Sequence, residues 1–269
     1  MDKLTQHGSI QIFFLILFIS AIFIGLFLTQ NQTGFLAQAK KPKKTPFPSP
    51  TSNALFTTWT EDWTNPNYLE RWDIVTDNCF SVNSGVMEMN NCQAGGITSK
   101  QKWDKNYEII VEGTVAAENS VADEYNIKRY WGGLTLFNRY INPSGYDDSR
   151  YGEIAVQSEV PPTYGLKDSI ITLTNEYAAN LKIIQPATPK QFYKFKIHFK
   201  QDGKKGKKSS GYKYFYYVND SLVHSYPSSM VDNPNIFILC VATGSGGVTI
   251  GRASCKFGPI TVTGVPVTQ

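Results

Sequence analysis

Apolar and polar residues alternate along much of this chain, with the period of two that is typical of half-buried β-strands. Residues 193–200 (YKFKIHFK) carry apolar side chains at odd positions and lysines or His198 at even positions. Residues 107–116 (YEIIVEGTVA) alternate in the same way. Turn formers at 84–85 (Ser-Gly) and 219–220 (Asn-Asp) predict hairpins between such stretches. No sustained helical period interrupts this pattern, so residues 54–269 are predicted to form one all-β domain, a sandwich or barrel.

The amino-terminal pattern is different. Residues 9–28 form one apolar run without a charge, long enough to cross a bilayer as a helix. We therefore divide this part of the chain into a tail (1–8), a transmembrane anchor or uncleaved signal (9–29) and a Lys/Pro-rich linker (30–53). The alternative is a signal peptide cut after Ala39, which would release a secreted domain. The length of the run favours a retained anchor.

Charge excludes one large class of partners. The net charge is +4, and the first fifty residues hold five lysines against Asp2, so the remaining chain is neutral in sum. A neutral domain lacks the basic footprint that a phosphate backbone requires. Nucleic-acid binding is not expected.

The four cysteines indicate an oxidising compartment. Cys79 lies close in sequence to Cys92, and Cys240 lies close to Cys255. Two local disulfides are the preferred pairing among the three that four cysteines allow, and four buried thiols are the alternative. None of the spacings is C-x-x-C and the chain has three histidines, so no zinc site is predicted. With the anchor, this pattern predicts a membrane-attached, extracytoplasmic domain.

Residues 150–159 (RYGEIAVQSE) form a predicted strand that carries candidate catalytic side chains. Glu153, Gln157 and Glu159 occupy odd positions and alternate with Ile154 and Val156. The polar residues should therefore share one face of the strand.

The order of motifs resembles a known superfamily. The stretches TEDWTNPNYLERWDIV (60–75), SGVMEMN (84–90) and GGITSKQKWDKNYEIIVEGTV (95–115) resemble the opening of concanavalin A-like lectin/glucanase domains, including laminin G-like and family 16 glycoside hydrolase domains. YYVNDSLVHSY (216–226) and the strands after it resemble their ending. The resemblance covers residues 55–264. It implies a jelly-roll β-sandwich of two antiparallel sheets, here preceded by one transmembrane helix.

Family 16 hydrolases carry G-E-I-D-I-x-E where this chain has YGEIAVQSE. The residues that differ are ones that those hydrolases use for catalysis. Glu153 matches the nucleophile, but Ala155 replaces the aspartate and Gln157 replaces the acid. Gln157 cannot donate a proton as a carboxylic acid does. Glu159 lies six residues from Glu153, about 20 Å along a strand, and retaining glycosidases need carboxyls about 5 to 5.5 Å apart. The motif is degenerate, and no catalytic residue is assigned.

What the resemblance leaves is a sugar-binding face, where aromatic rings stack on pyranoses beside fixed polar groups. The candidate ligand-binding residues on and near the strand are Tyr130, Trp131, Arg139, Tyr140, Tyr146, Asp148, Arg150, Tyr151 and Glu153. Asp147 and Asp148 could offer hard oxygen ligands to Ca²⁺, although a plain turn is the preferred interpretation. No other cofactor is expected.

The sequence thus predicts a membrane-tethered, non-catalytic module that binds a carbohydrate or glycoconjugate. One alternative is a divergent family 16 hydrolase that pairs Glu153 with a carboxylate such as Asp148. The other is a structural or adhesive surface domain that binds protein.

Overall fold

The strands follow from the alternation described above. The computed structural model describes residues 55–65, 67–76, 79–122, 129–138, 150–159, 168–175, 179–202, 211–228, 230, 232–242 and 251–267. The predicted tail, anchor and linker lie outside the described residues. Among the residues described, no helix is both long and apolar enough to cross a bilayer.

Fifteen strands and one short 3₁₀ helix (Tyr68–Glu70) make up the described part of the chain. The strands are β1 (Thr57–Glu61), β2 (Trp72–Ile74), β3 (Phe80–Asn83), β4 (Val86–Cys92), β5 (Ala94–Ser99), β6 (Ile109–Val121), β7 (Arg129–Asn138), β8 (Arg150–Glu159), β9 (Ser169–Asn175), β10 (Ala179–Pro186), β11 (Tyr193–Gln201), β12 (Tyr212–Val218), β13 (Ser221–Ser228), β14 (Asn235–Val241) and β15 (Arg252–Gly264).

The strands form two antiparallel sheets. Sheet A has the order β13-β12-β11-β6-β15-β4-β3, with β1 also paired to β15. Sheet B has the order β10-β9-β8-β7-β14-β5-β2. The apolar faces of the two sheets meet in one core that contains Val111, Phe195, Ile197, Ile154 and Ile238, each fully buried. The all-β, two-sheet antiparallel sandwich is therefore confirmed.

The predicted hairpin turns are confirmed. Ser84 and Gly85 connect β3 to β4, and Asn219 and Asp220 connect β12 to β13. All four residues have φ values between 47° and 78°. Two successive left-handed residues twist the flanking strands in the direction that an antiparallel pair requires.

The acidic-aromatic stretch at the start of the domain closes one end of the core. The buried carboxylate of Glu61 accepts hydrogen bonds from the Arg71 guanidinium at 2.8 and 2.9 Å and from the Trp72 indole at 2.9 Å. The backbone N–H of Trp63 also donates to it, at 3.2 Å. The rings of Trp63 and Trp72 pack with their centroids 5.4 Å apart. A buried charge needs such a complete set of partners, so Glu61 positions both tryptophans.

Both predicted disulfides are present. Cys79 is bonded to Cys92, and Cys240 is bonded to Cys255. The first bond joins the residue before β3 to the end of β4, both on the sheet A side. The second joins β14 of sheet B to β15 of sheet A, so it links the two layers covalently.

Candidate functional site

The candidate strand β8 lies inside sheet B, between β7 and β9, with a continuous register to both. Ile154 and Val156 point into the core, so Glu153, Ala155 and Gln157 point to the opposite side of the sheet. We call that side the outer face of sheet B. The sequence therefore placed Glu153 and Gln157 correctly on one face, while the side chain of Glu159 lies outside the described residues.

Glu153 reaches across β7 instead of pointing straight out of the sheet. Its carboxylate accepts a hydrogen bond from the indole N–H of Trp131, which pairs with Gln157 in the β7–β8 register. The side chain passes over Gly133, where an added Cβ would meet both Glu153 Oε1 and, at 3.3 Å, the Cβ of Ala155. Because Gly133 has no side chain, it leaves the space in which Glu153 contacts Trp131.

Burial controls the charge of this carboxyl. Glu153 is 5% exposed, and removal from water raises its pKa to about 7, against the opposing effect of the Trp131 hydrogen bond. Near neutral pH the group is therefore divided between a form that only accepts hydrogen bonds and a form that can also donate one.

Two further polar groups beside Glu153 are buried. Gln157 donates to the Ser169 hydroxyl at 3.4 Å, while within the described residues its Oε1 has no hydrogen-bond partner. Thr135, directly opposite Glu153 on β7, also has no partner for its hydroxyl among the described groups. Buried polar atoms are rarely left in this state, so this polar row of Thr135, Glu153 and Gln157 has unused hydrogen-bonding capacity. None of the three residues is more than 5% exposed, so a ligand reaches them only when the groups that cover them move.

An aromatic row lies next to the polar row. Phe137 and Tyr151 are cross-strand partners with ring centroids 6.3 Å apart, and Phe137 also packs against Phe237 of β14 at 5.7 Å. All three side chains are half-buried on the outer face of sheet B. We call this set the aromatic platform. Such adjacent rings are the usual means of stacking on sugar faces.

Sequence reasoning missed Phe137 and Phe237, although alternation in WGGLTLFN and NIFILCV places both on the outward side of their strands. It also proposed residues that the structure separates from Glu153. Tyr130 points into the core, where its hydroxyl donates to Asp168 at 2.8 Å. Arg150 is buried at an even position of β8, on the side opposite Glu153.

The other candidates lie outside the described residues. They are Arg139, Tyr140, Tyr146, Asp147 and Asp148, together with the side chain of Glu159. Among the described residues, no cluster of three or more His, Cys, Asp or Glu is arranged to hold a metal ion.

The described carboxylates on this face do not form a glycosidase pair. Besides Glu153, the described acidic side chain on the outer face of sheet B is Asp73. Asp73 lies on the edge strand β2, where it pairs with Thr98 of β5. It lies four strands from β8, about 19 Å at the usual strand spacing. Inverting enzymes need roughly 6.5 to 9.5 Å and retaining enzymes less.

We expect Gly133→Ala to disrupt this site. The new methyl group would occupy the space of the Glu153 carboxylate, so the Trp131 indole should lose its acceptor, with overpacking costing about 1 to 3 kcal/mol. The Trp131 indole resonance in a ¹H–¹⁵N NMR spectrum reports this loss. Gly211→Ala is the control, because nothing lies within 4 Å of a Cβ there. An unchanged indole resonance in Gly133→Ala would contradict the geometry described.

Comparison with known proteins gives structural neighbours only. No protein-family model and no curated protein matches the chain. Among solved structures, the Bacillus licheniformis β-glucanase matches with a TM-score of 0.51 and 12% identity over 76% of this chain and 97% of that one. An endo-β-galactosidase from Clostridium perfringens that releases GlcNAcα1-4Gal matches with a TM-score of 0.52 and 10% identity, over 81% of this chain and 65% of that one.

A third neighbour is a 1,3-α-1,4-β-D-galactose-4-sulfate-3,6-anhydro-D-galactose 4 galactohydrolase. Its TM-score is 0.50 at 9% identity, over 83% of this chain and 99% of that one. At such low identity these similarities establish the fold and nothing about activity.

Proposed function

We propose that this chain, which has the concanavalin A-like, family 16 glucanase-like fold, binds carbohydrate on the outer face of sheet B without cleaving it. The observation that carries the proposal is the polar row around Glu153 beside the aromatic platform. A pyranose ring presents an apolar face to aromatic side chains and hydroxyls to polar groups at its edge, and these two rows offer both. The three structural neighbours above are named for acting on glycans, which supports the same ligand class.

We propose that no cleavage occurs because the motif lacks a second group that can transfer a proton. Glu153 can take part in proton transfer, but Gln157 at the position of the acid has no exchangeable carboxyl proton, and Ala155 has no charge. The remaining alternative, a divergent hydrolase, requires a second carboxyl from residues that the structure does not describe.

We also propose that residues 9–29 attach the domain to a membrane, with the 30–53 linker as a spacer. The apolar run without a charge supports an anchor. The two disulfides support an extracytoplasmic position for the domain, since such bonds persist in oxidising compartments. Labelling of an engineered cysteine in the linker by a membrane-impermeant reagent on whole cells tests this orientation.

The test of binding is a glycan array on the full-length chain, kept in a detergent without a sugar headgroup, with and without calcium. We expect saturable binding to a defined glycan and no shortened product. Tyr151→Ala should weaken this binding about tenfold, since loss of a stacked ring costs roughly 0.5 to 1.5 kcal/mol beyond its area. Tyr217→Ala is the matched control. Tyr217 is also a half-buried tyrosine, but it lies on sheet A, where it pairs with Lys196.

Either of two results would contradict the proposal. Shortened oligosaccharides that disappear in Glu153→Gln would favour the hydrolase. Equal binding by the Tyr151→Ala and Tyr217→Ala variants would place the ligand away from the aromatic platform.

A further inference from the structure

The outer side of sheet A, opposite the aromatic platform, contains a cleft. Its volume is about 470 Å³, and it is lined by residues of β4, β6 and β15 and of the turn before β11. We call it the Phe192 cleft; its lining includes Asn90, Ala116, Glu118, Lys190, Phe192 and Lys256. It lies on sheet A, whereas the aromatic platform lies on sheet B, so the two are separate surfaces.

The cleft results from the sizes of side chains along one row of sheet A. Glu88, Lys256 and Ala116 are successive cross-strand partners on β4, β15 and β6. Ala116 has a short side chain and lines the cleft together with Lys256 and Phe192, whose side chains are longer. A short side chain in this row leaves a recess beside its larger neighbours.

The walls are held in place before any ligand arrives. The turn that carries Lys190 and Phe192 is fixed to β6 by a hydrogen bond from Lys190 N–H to the Ala117 carbonyl at 3.1 Å. On the other side, Ser254 Oγ accepts from the Asn91 backbone N–H at 3.1 Å. Cys92 and Cys255, one partner of each disulfide, flank this wall on β4 and β15. A preformed cleft avoids the entropy cost of ordering its walls on binding.

Charge in and around the cleft is balanced. Lys190 is paired with Glu118 at 3.0 Å, and Lys256 is paired with Glu88 at 2.7 Å. Two ammonium groups therefore face two carboxylates, so an anionic ligand gains no net attraction. Each pair places strong donors beside strong acceptors, which suits a neutral molecule with adjacent hydroxyl groups.

Phe192 supplies the apolar surface that such a molecule also needs. Phe192 is 45% exposed and lines the cleft, although a phenyl ring gains from burial. From the exposed ring, the paired charges, the amide of Asn90 and the volume, we propose that the Phe192 cleft is a second binding site for a neutral sugar unit. This site is independent of the outer face of sheet B and stands whether or not that face binds carbohydrate.

NMR titration of the full-length chain, in a detergent without sugar, distinguishes the two sites. The Ala116 methyl resonance reports on the Phe192 cleft, and the Trp131 indole resonance reports on the outer face of sheet B. The probes are cellotetraose and β-1,4-galactotetraose, which are neutral, and tetragalacturonate, which is acidic. We expect the Ala116 methyl resonance to shift saturably with a neutral tetrasaccharide and more weakly with tetragalacturonate.

Three variants test the role of the ring. Phe192→Ala should raise the Kd measured at Ala116 about tenfold, as expected for loss of one stacked ring, and Phe192→Tyr should keep it within about twofold of the unaltered value. Phe56→Ala is the control, because Phe56 is similarly exposed and is not among the residues lining the cleft. An unchanged Trp131 resonance in the apo Phe192→Ala variant shows that the fold is retained.

The outcomes separate this inference from the proposed function. A silent Ala116 methyl with a responding Trp131 indole overturns the second site and leaves the outer face of sheet B as the sugar-binding surface. A responding Ala116 methyl with a silent Trp131 indole supports the second site alone. Tighter binding of tetragalacturonate than of either neutral probe, or equal Kd values for Phe192→Ala and Phe56→Ala, overturns the inference.

Discussion

We expect the Glu153→Gln variant to be more stable than the unaltered chain at pH 8 and about equally stable at pH 4. The reason is the buried carboxyl. Burial raises the pKa of Glu153 from 4.5 to about 7, so the folded protein keeps a proton that the unfolded chain releases. Gln is close to the protonated side chain in shape and retains an oxygen that accepts the Trp131 hydrogen bond.

The sign of the effect follows from linkage between proton binding and folding. A carboxyl whose pKa is higher in the folded state stabilises that state fully below pH 4.5, and this contribution is lost as pH rises through 7. The advantage of Glu153→Gln should therefore appear above pH 4.5, grow up to about pH 7 and then level off. A shift of this size corresponds to on the order of 3 kcal/mol.

Urea denaturation at pH 4, 6 and 8 measures this difference as a change in the free energy of unfolding. Other groups do not confuse the comparison, because Asp62, Asp220 and Glu88, whose pKa values are lowered, are the same in both proteins. Glu70→Gln is the control, since Glu70 is exposed and should change stability by less than about 0.5 kcal/mol at every pH. A pH-independent difference between Glu153→Gln and the unaltered chain would show that Glu153 titrates normally.

The sequence predicted those parts of the fold that depend on local pattern. Alternation in YKFKIHFK gave the two faces of β11, and Asn219-Asp220 gave the turn between β12 and β13. Short sequence spacing gave both disulfides. Each of these features is decided by residues close in the chain, where strand period and turn chemistry act directly.

The candidate site could be predicted only in part, because it depends on which strands are neighbours. Phe237 lies about a hundred residues after Phe137, yet β14 pairs with β7 and brings the two rings together. The alternation of polar and apolar residues along each strand does not show which strands are neighbours in the sheet. It could have excluded Arg150, because an even position on β8 shares the inward face with Ile154.

Gly133 illustrates a second limit of the sequence. A glycine inside a strand indicates close approach of another group without saying which one. The approaching group is Glu153, and the contact requires Glu153 to lean diagonally across β7. Side-chain direction of this kind is set by register and burial together, so the Trp131–Glu153 hydrogen bond could not be derived from the motif alone.

The second large effect that we expect is loss of stability on removal of the disulfide between the layers. Replacing Cys240 and Cys255 together by alanine should lower the free energy of unfolding by about 3 kcal/mol, the value for a closed loop of this length. The sequence separation is 15 residues, and both side chains are fully buried between sheet A and sheet B. Guanidinium denaturation of the double variant under non-reducing conditions measures the loss.

The other disulfide provides a matched comparison that also tests the mechanism. Cys79 and Cys92 are 13 residues apart, so a pure loop-entropy model predicts nearly the same loss for their replacement. Their segment is already closed by the β3–β4 hairpin, where the Asn90 N–H donates to the Cys79 carbonyl at 2.9 Å. We expect this local hairpin to persist in part in the unfolded chain, where the bond then removes less entropy. The loss should therefore be smaller, about 1 kcal/mol, toward the low end of the measured range. Equal losses for the two pairs would mean that loop closure alone accounts for both bonds, and that linking the two sheets adds nothing.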